Sequence, residues 1–397
     1  MKLLRILFFW VFTVCLLGET LTRIFIPMDP KKISIDRTFQ HPYIRTHWVP
    51  GFQSTYSIEG IGGQSGTMEF KINEFGFRSR SMKTAQKPDH TQRLFFLGGS
   101  TTECVYLAEE KTFASLVEKK LRDAFPNQKF EAVNAGSSSY LAADAFVFFV
   151  YKVLYFQPDM IFVMLAVNDL RYGCVPTYDP VNRPNYEKIL YRSDFDEGTW
   201  RRIAKILKNS HFLTLIKWRI INRFFPPDAE KYKTKIEEYN IWRQRRRQKP
   251  LTEIKESKAL PDFLKYMEEM IFVAQGHGIR VILMTEPFIY QPNMPRKIDE
   301  QLWMGYIEEA NINLSSQFLL REMNRFNDAV RELARTHNVE LIDLEREIPK
   351  DLRHFYDDVH FTPEGSRKAA EVISSYLLAN KDKMILSPKE GNQKITF

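Results

Sequence analysis

Residues 93–101 read Arg93-Leu94-Phe95-Phe96-Leu97-Gly98-Gly99-Ser100-Thr101, an apolar run that stops on two glycines and a serine. A short uninterrupted apolar stretch bounded by turn formers suits a strand buried on both faces. The same pattern repeats outward from it. Helical spacing over 112–124 leads to a second strand at 129–133, and an apolar helix at 141–155 leads to a third at 160–165. After a break, a helix at 262–275, a strand at 279–284, a helix at 318–337, a strand at 339–344 and a helix at 363–378 complete the series. Five strands alternating with helices predict a parallel sheet covered on both faces, a three-layer α/β/α sandwich.

The remaining segments are decorations on that plan. Residues 1–26 form a leader, and 27–92 an extension rich in turn formers and aromatics, with a short strand at 68–72. The body runs over 93–380, interrupted by a charged insert of helical character at 175–260, and 381–397 is a tail. The chain has 397 residues, 44% hydrophobic and 14% aromatic, enough for a sizeable core and unlike a disordered protein. Its net charge of +8 is unevenly placed. Between Arg183 and Lys258, Lys and Arg outnumber Asp and Glu two to one, and the rest of the chain is close to neutral.

Cys15, Cys104 and Cys174 are too few and too scattered for a disulfide framework, although the last two are able to pair. No Cys/His cluster points to zinc, and the sequence calls for neither a metal nor an organic cofactor. At the N-terminus, Lys2 and Arg5 precede the uncharged run Ile6 to Gly18, which has the length of a signal-peptide core. No Ala-x-Ala site follows, so an uncleaved anchor reaching Ile26 competes with a cleaved signal. Either places the body outside the cytoplasm, in the periplasm, at the cell surface or secreted.

In parallel sheets ligands bind beyond the carboxyl ends of the strands. Four motifs fall there. Gly98-Gly99-Ser100 follows the first strand, and its glycines let the backbone turn sharply beside an exposed nucleophile. Gly136, in Asn134-Ala135-Gly136-Ser137, offers a backbone N–H to an oxyanion, and Asn168 after the third strand offers a side-chain donor. Asp357 and His360 stand three apart before the last helix, a spacing at which the carboxylate reaches and orients the imidazole. Each motif alone also reads as a turn or a helix cap. Thr102 stands where a Gly-x-Ser-x-Gly elbow needs its second glycine, which takes from the α/β-hydrolase alternative its main support.

Taken together, Ser100, Gly136, Asn168 and Asp357-x-x-His360 arrive in the block order of the SGNH/GDSL hydrolase superfamily, which the chain resembles over about 68–175 and 262–380. The stretch Asn73-Glu74-Phe75-Gly76-Phe77-Arg78 is similar to exported bacterial members. Two features depart from the pattern: Gly99 replaces the usual Asp, and the insert is long. The resemblance implies a flavodoxin-like SGNH fold and ester hydrolysis through an acyl-enzyme. In that scheme Ser100 is the nucleophile, His360 the base and Asp357 its orienter. The Ser100 N–H, the Gly136 N–H and the Asn168 side chain form the oxyanion hole.

The expected substrate is an acylated glycan. An O-acyltransferase, a lipid-directed esterase and a catalytically silent carbohydrate-binding relative are the alternatives. The basic region at 200–249 interleaves cations with aromatics and reads as a helical cap over the site, an anionic-membrane contact or a polysaccharide contact. Nucleic acid is not an expected partner, because the chain reads as exported and carries no nucleic-acid fold signature.

Overall fold

The computed structural model describes residues 2–25, 38–39, 47–80, 82–180, 212 and 234–384. The chain divides into two units. One comprises Met1–Phe39 with Asn185–Lys235, the other Gln40–Pro184 with Ile236–Phe397.

The larger unit is built on five parallel strands, β1 (Thr91–Gly98), β2 (Lys129–Gly136), β3 (Met160–Met164), β4 (Arg280–Met284) and β5 (Glu340–Ile342), in the order β5-β4-β3-β1-β2. All five fall where the apolar runs place them. Five helices form the layers: α1 (Phe113–Ala124), α2 (Ala142–Tyr151), α3 (Leu260–Gly276), α4 (Ser316–Thr336) and α5 (Pro363–Ala379). Helices α1 and α5 pack together on one face of the sheet, while α3 packs against α2 and α4 on the other. This is the expected α/β/α sandwich. Side chains alternate across β1: Phe96 stacks on Phe162 at 4.4 Å and meets Phe113 edge-on, whereas Phe95 meets Phe77.

The chain runs from β1 outward to β2 and then crosses back to β3 on the other side of β1. That reversal makes the β1/β3 boundary the topological switch point. Register levels the strand ends there, because Gly98 pairs with Gly136 on one side and Met164 on the other. Whatever follows β1 and β3 is therefore delivered to one place.

The described part of the extension belongs to this unit. Strands Gln53–Ser57 and Thr67–Lys71 pair antiparallel, one residue ahead of the strand expected at 68–72. Trp48, Ile58, Phe70 and Ile72 then share one apolar cluster with Val105, Tyr106 and Tyr356. The described end of the insert is helix Thr234–Gln248. The apolar-basic stretches expected to cap the site or contact membrane, at 200–211 and 213–233, lie outside the described residues, as does 385–397 of the tail.

In the smaller unit, Lys2–Phe25 is helical, and Glu19 Oε2 accepts a hydrogen bond from Phe212 N at 3.0 Å. Among the described residues no helix is long and apolar enough to cross a membrane, so the anchor expected at 1–26 finds no support. Cys104 and Cys174 are both free, so they do not pair, and burial pushes both thiols up to about 12.

Phe96 joins β1, β3 and α1 through its ring. Phe96→Ala is expected to cost about 3–5 kcal/mol, read as a lower denaturation midpoint in urea with an unchanged m-value.

Candidate active site

Ser100 opens a one-turn helix, Ser100–Glu103, set directly on the end of β1. Close approach, not backbone twist, explains the two glycines before it. A Cβ at Gly98 would lie 2.1 Å from Thr102 Oγ1 and 2.5 Å from the Met164 carbonyl. A Cβ at Gly99 would lie 2.9 Å from Asn168 Nδ2, so the departure from Gly-Asp-Ser leaves that room to the Asn168 amide. The far end of the turn is held by Arg78, whose buried guanidinium donates to the carbonyls of Glu103, Cys104 and Leu107. A cation there satisfies carbonyls that a helix end leaves open.

His360 reaches this turn from the loop before α5. Its Nε2 lies 2.7 Å from Ser100 Oγ, and its Nδ1 lies 2.7 and 2.9 Å from the two Asp357 oxygens. With Nδ1–H donated to Asp357, Nε2 is the acceptor for the serine hydroxyl. Asp357 is fully buried and also accepts from the backbone N–H groups of Val359 and His360 and from Trp303 Nε1. The three residues expected from their motifs thus meet in one hydrogen-bonded chain.

Electrostatics reinforce the pair. Burial alone would depress His360, but the Asp357 charge and hydrogen bond outweigh it and hold the imidazole above its ordinary value. Burial would raise Asp357; the His360 charge and the hydrogen bonds from His360 and Trp303 hold it below the ordinary carboxylate range. Neighbouring Asp358 goes the other way, raised by burial and by the Asp357 charge.

Asn168 stands in the first turn of helix Val167–Tyr172, after β3. One of its amide hydrogens goes to the Tyr140 carbonyl at 3.1 Å, and the same nitrogen borders Gly99. An amide nitrogen carries two hydrogens, so one remains for a substrate oxygen. The Ser100 N–H belongs to the first turn of its helix, where backbone donors have no intrahelical acceptor.

Gly136 does not join them. Its N–H donates to Asn134 Oδ1 at 3.0 Å, and a Cβ there would lie 2.5 Å from the Glu103 nitrogen. The glycine is needed so that β2 can pass under the Ser100 turn, and the donor role expected of it is corrected. The loop beyond it borders the site instead, with Ser139 at φ +66° and the Tyr140 carbonyl against Asn168.

Sequence reasoning missed three contributors. Glu286 is buried just past β4, and its carboxylate ties Thr101 Oγ1 at 2.9 Å to the Val167 N–H at 2.8 Å, joining the β1 and β3 turns. Burial raises its pKa. Its place beyond a strand end was the available signal. Tyr356 stacks on His360 at 5.5 Å with an 11° interplanar angle. Trp303 comes from an irregular loop with no periodicity to mark it. Among the described residues no group of His, Cys, Asp and Glu is arranged to hold a metal.

An α/β/α sandwich that brings a serine, a histidine and an aspartate together at its switch point defines a hydrolase architecture. The GDSL-like Lipase/Acylhydrolase family model matches residues 96–368, more than half of the chain. The chain belongs to that family and is an ester-bond hydrolase. No curated protein matches it in sequence. Among solved structures it is similar to the acetyl xylan esterase AlAXEase, at 16% identity and TM-score 0.39 over 72% of this chain and 99% of that one. It is similar to an acetylxylan esterase from Geobacillus stearothermophilus at 13% identity and TM-score 0.38, over 76% and 97% of the two chains. A GDSL-like lipase from Bacteroides thetaiotaomicron follows at 10% identity and TM-score 0.35, over 74% and 89%.

The His360 imidazole is expected to titrate above the ordinary value of about 6.5, measured by nitrogen-15 shifts. In Asp357→Asn the stabilising charge is gone while burial remains, so the midpoint falls. A wild-type midpoint at or below the ordinary value contradicts the pairing.

Proposed function

We propose that this protein hydrolyses O-acyl esters of carbohydrates through an acyl-enzyme on Ser100. The observation that carries the serine mechanism is the unbroken chain Ser100–His360–Asp357, with contacts of 2.7 Å on both sides of the imidazole. Ser100 Oγ attacks the ester carbonyl while its proton passes to His360 Nε2. The carbonyl electron pair moves onto oxygen, where the Ser100 N–H and Asn168 Nδ2 receive it. As the tetrahedral centre collapses, the bond to the leaving alkoxide breaks and His360 protonates it. Water then repeats the sequence on the acyl-serine, releasing the carboxylic acid and restoring Ser100. Asp357 stays ionised throughout and stabilises the imidazolium.

The carbohydrate reading is supported by the aromatic border of the site. Helix Thr234–Gln248 brings Tyr239 and Trp242 to the loop that holds Trp303, and Tyr239 lies 6.5 Å, ring to ring, from Tyr356. Trp242 and Tyr239 are only half-buried. Aromatic side chains with a polar tip suit a ligand whose rings present C–H faces beside hydroxyl groups. The same helix bears on the membrane alternative. Three of its basic residues have protein partners: Arg243 donates to Gln301 O, Arg246 to Asp299 and Ser316, and Arg245 pairs with Glu308. That arrangement supports a cap pinned over the site for residues 236–248. Export of the body remains our reading of Lys2, Arg5 and the uncharged run behind them; recovery of the native protein in the cytosolic fraction would overturn it.

Acetate release from acetylated oligosaccharides is expected to exceed fatty-acid release from phospholipid vesicles, and Ser100→Ala is expected to abolish both. Preference for the vesicles, or full activity without Ser100, overturns the proposal. Asn168→Ala is expected to lower kcat by about 10²–10³-fold with little change in KM, measured on a short aryl ester.

A further inference from the structure

Two consecutive carboxylates grip one tryptophan. Asp357 Oδ2 accepts from the Trp303 indole Nε1 at 2.9 Å, and Asp358 Oδ2 accepts from the Trp303 backbone nitrogen at 2.8 Å. Asp358 also takes the Met304 N–H at 3.1 Å and the Tyr290 hydroxyl at 2.7 Å, so its carboxylate anchors the loop. The indole ring is fixed as well. Trp242 stacks on it at 4.8 Å and 27°, Tyr239 meets it edge-on at 5.4 Å, and the Arg171 guanidinium lies 5.4 Å from its centroid. Arg171 Nε in turn donates to the Met304 carbonyl at 2.9 Å.

The oxygen that Trp303 contacts is the one nearest His360 Nδ1, at 2.7 Å. The other Asp357 oxygen takes the Val359 and His360 backbone donors at 3.2 and 2.9 Å. The indole therefore completes the set that fixes the carboxylate's rotation. It also competes with the imidazole for charge on one atom.

We propose that Trp303 is a positioning residue of the site, whose indole N–H holds Asp357 facing His360 and limits the negative charge that the imidazole meets. The proposal rests on His360 acting as the base toward Ser100. Its consequence has a definite sign. Without the indole donor, Asp357 Oδ2 carries more charge toward Nδ1, the imidazolium is favoured, and His360 gives up its proton at higher pH. The neutral imidazole is the competent base, so the acid limb of kcat/KM moves to higher pH. The charged and titratable groups facing this cluster are Asp358, Glu286, Arg171, Arg246, Tyr106, Tyr239, Tyr290 and Tyr356. None of them is altered by the test.

The test compares Trp303→Phe, which removes the donor, with Trp242→Leu, which removes the stacking ring and leaves the donor in place. A second form keeps the shape of residue 303, with its indole replaced by isosteric benzothiophene, in case the phenylalanine variant does not fold. Loss of the N–H is expected to raise both the kcat/KM limb and the His360 nitrogen-15 midpoint by about 0.5–1 pH unit, with a lower plateau kcat and unchanged KM. Trp242→Leu is expected to leave both midpoints in place. If neither midpoint moves when the N–H is lost, or if Trp242→Leu moves them equally, the proposal is overturned. If the His360 midpoint moves and the kcat/KM limb does not, the role given to Trp303 stands and the base assignment to His360 falls.

Discussion

The hydrogen bond between His360 Nε2 and Ser100 Oγ joins residues 260 positions apart, and much of the architecture serves to hold its two ends. On the serine side the constraint is space. Gly98 allows the turn to sit against β3, Gly136 allows β2 to pass beneath it, and Arg78 ties down its far end. Glu286 then couples this turn to the one carrying Asn168. On the histidine side the constraint is charge. Asp357 is fully buried and is kept ionised by four donors, one of them from Trp303. A 2.7 Å contact between loops this distant requires both sets of restraints.

The fold was legible because parallel strands buried on both faces need continuous apolar runs, and this chain has five of them. Ser100, Asn168 and His360 were legible for the same reason, since strand ends are where such sheets put chemistry. Gly136 was misread because a glycine at a strand end has two uses that sequence does not separate. It either offers its N–H or makes room, and here the Thr102–Glu103 backbone occupies the space a side chain would need. Glu286 was overlooked although it follows a strand. Trp303 left no trace in periodicity, because its position is fixed by Asp357 and Asp358 from 54 and 55 residues away.

The basic insert shows the limit of composition as a guide. A run such as Arg243 to Arg247 reads as a surface for anions. Yet Arg243, Arg245 and Arg246 are engaged with Gln301, Glu308 and Asp299. Charge that looks available in sequence is used to fasten a helix whose aromatic residues border the site. The extension behaves similarly: its hairpin shares a cluster with Val105, Tyr106 and Tyr356, and so buttresses both the serine turn and the histidine loop.

The most direct test is covalent. A fluorophosphonate phosphonylates a serine only where a base and oxyanion donors already activate it, and the adduct is located by peptide mass spectrometry. A single adduct on Ser100 is expected, lost in His360→Ala while that variant remains folded. Labelling elsewhere, or undiminished labelling of Ser100 without His360, would contradict it.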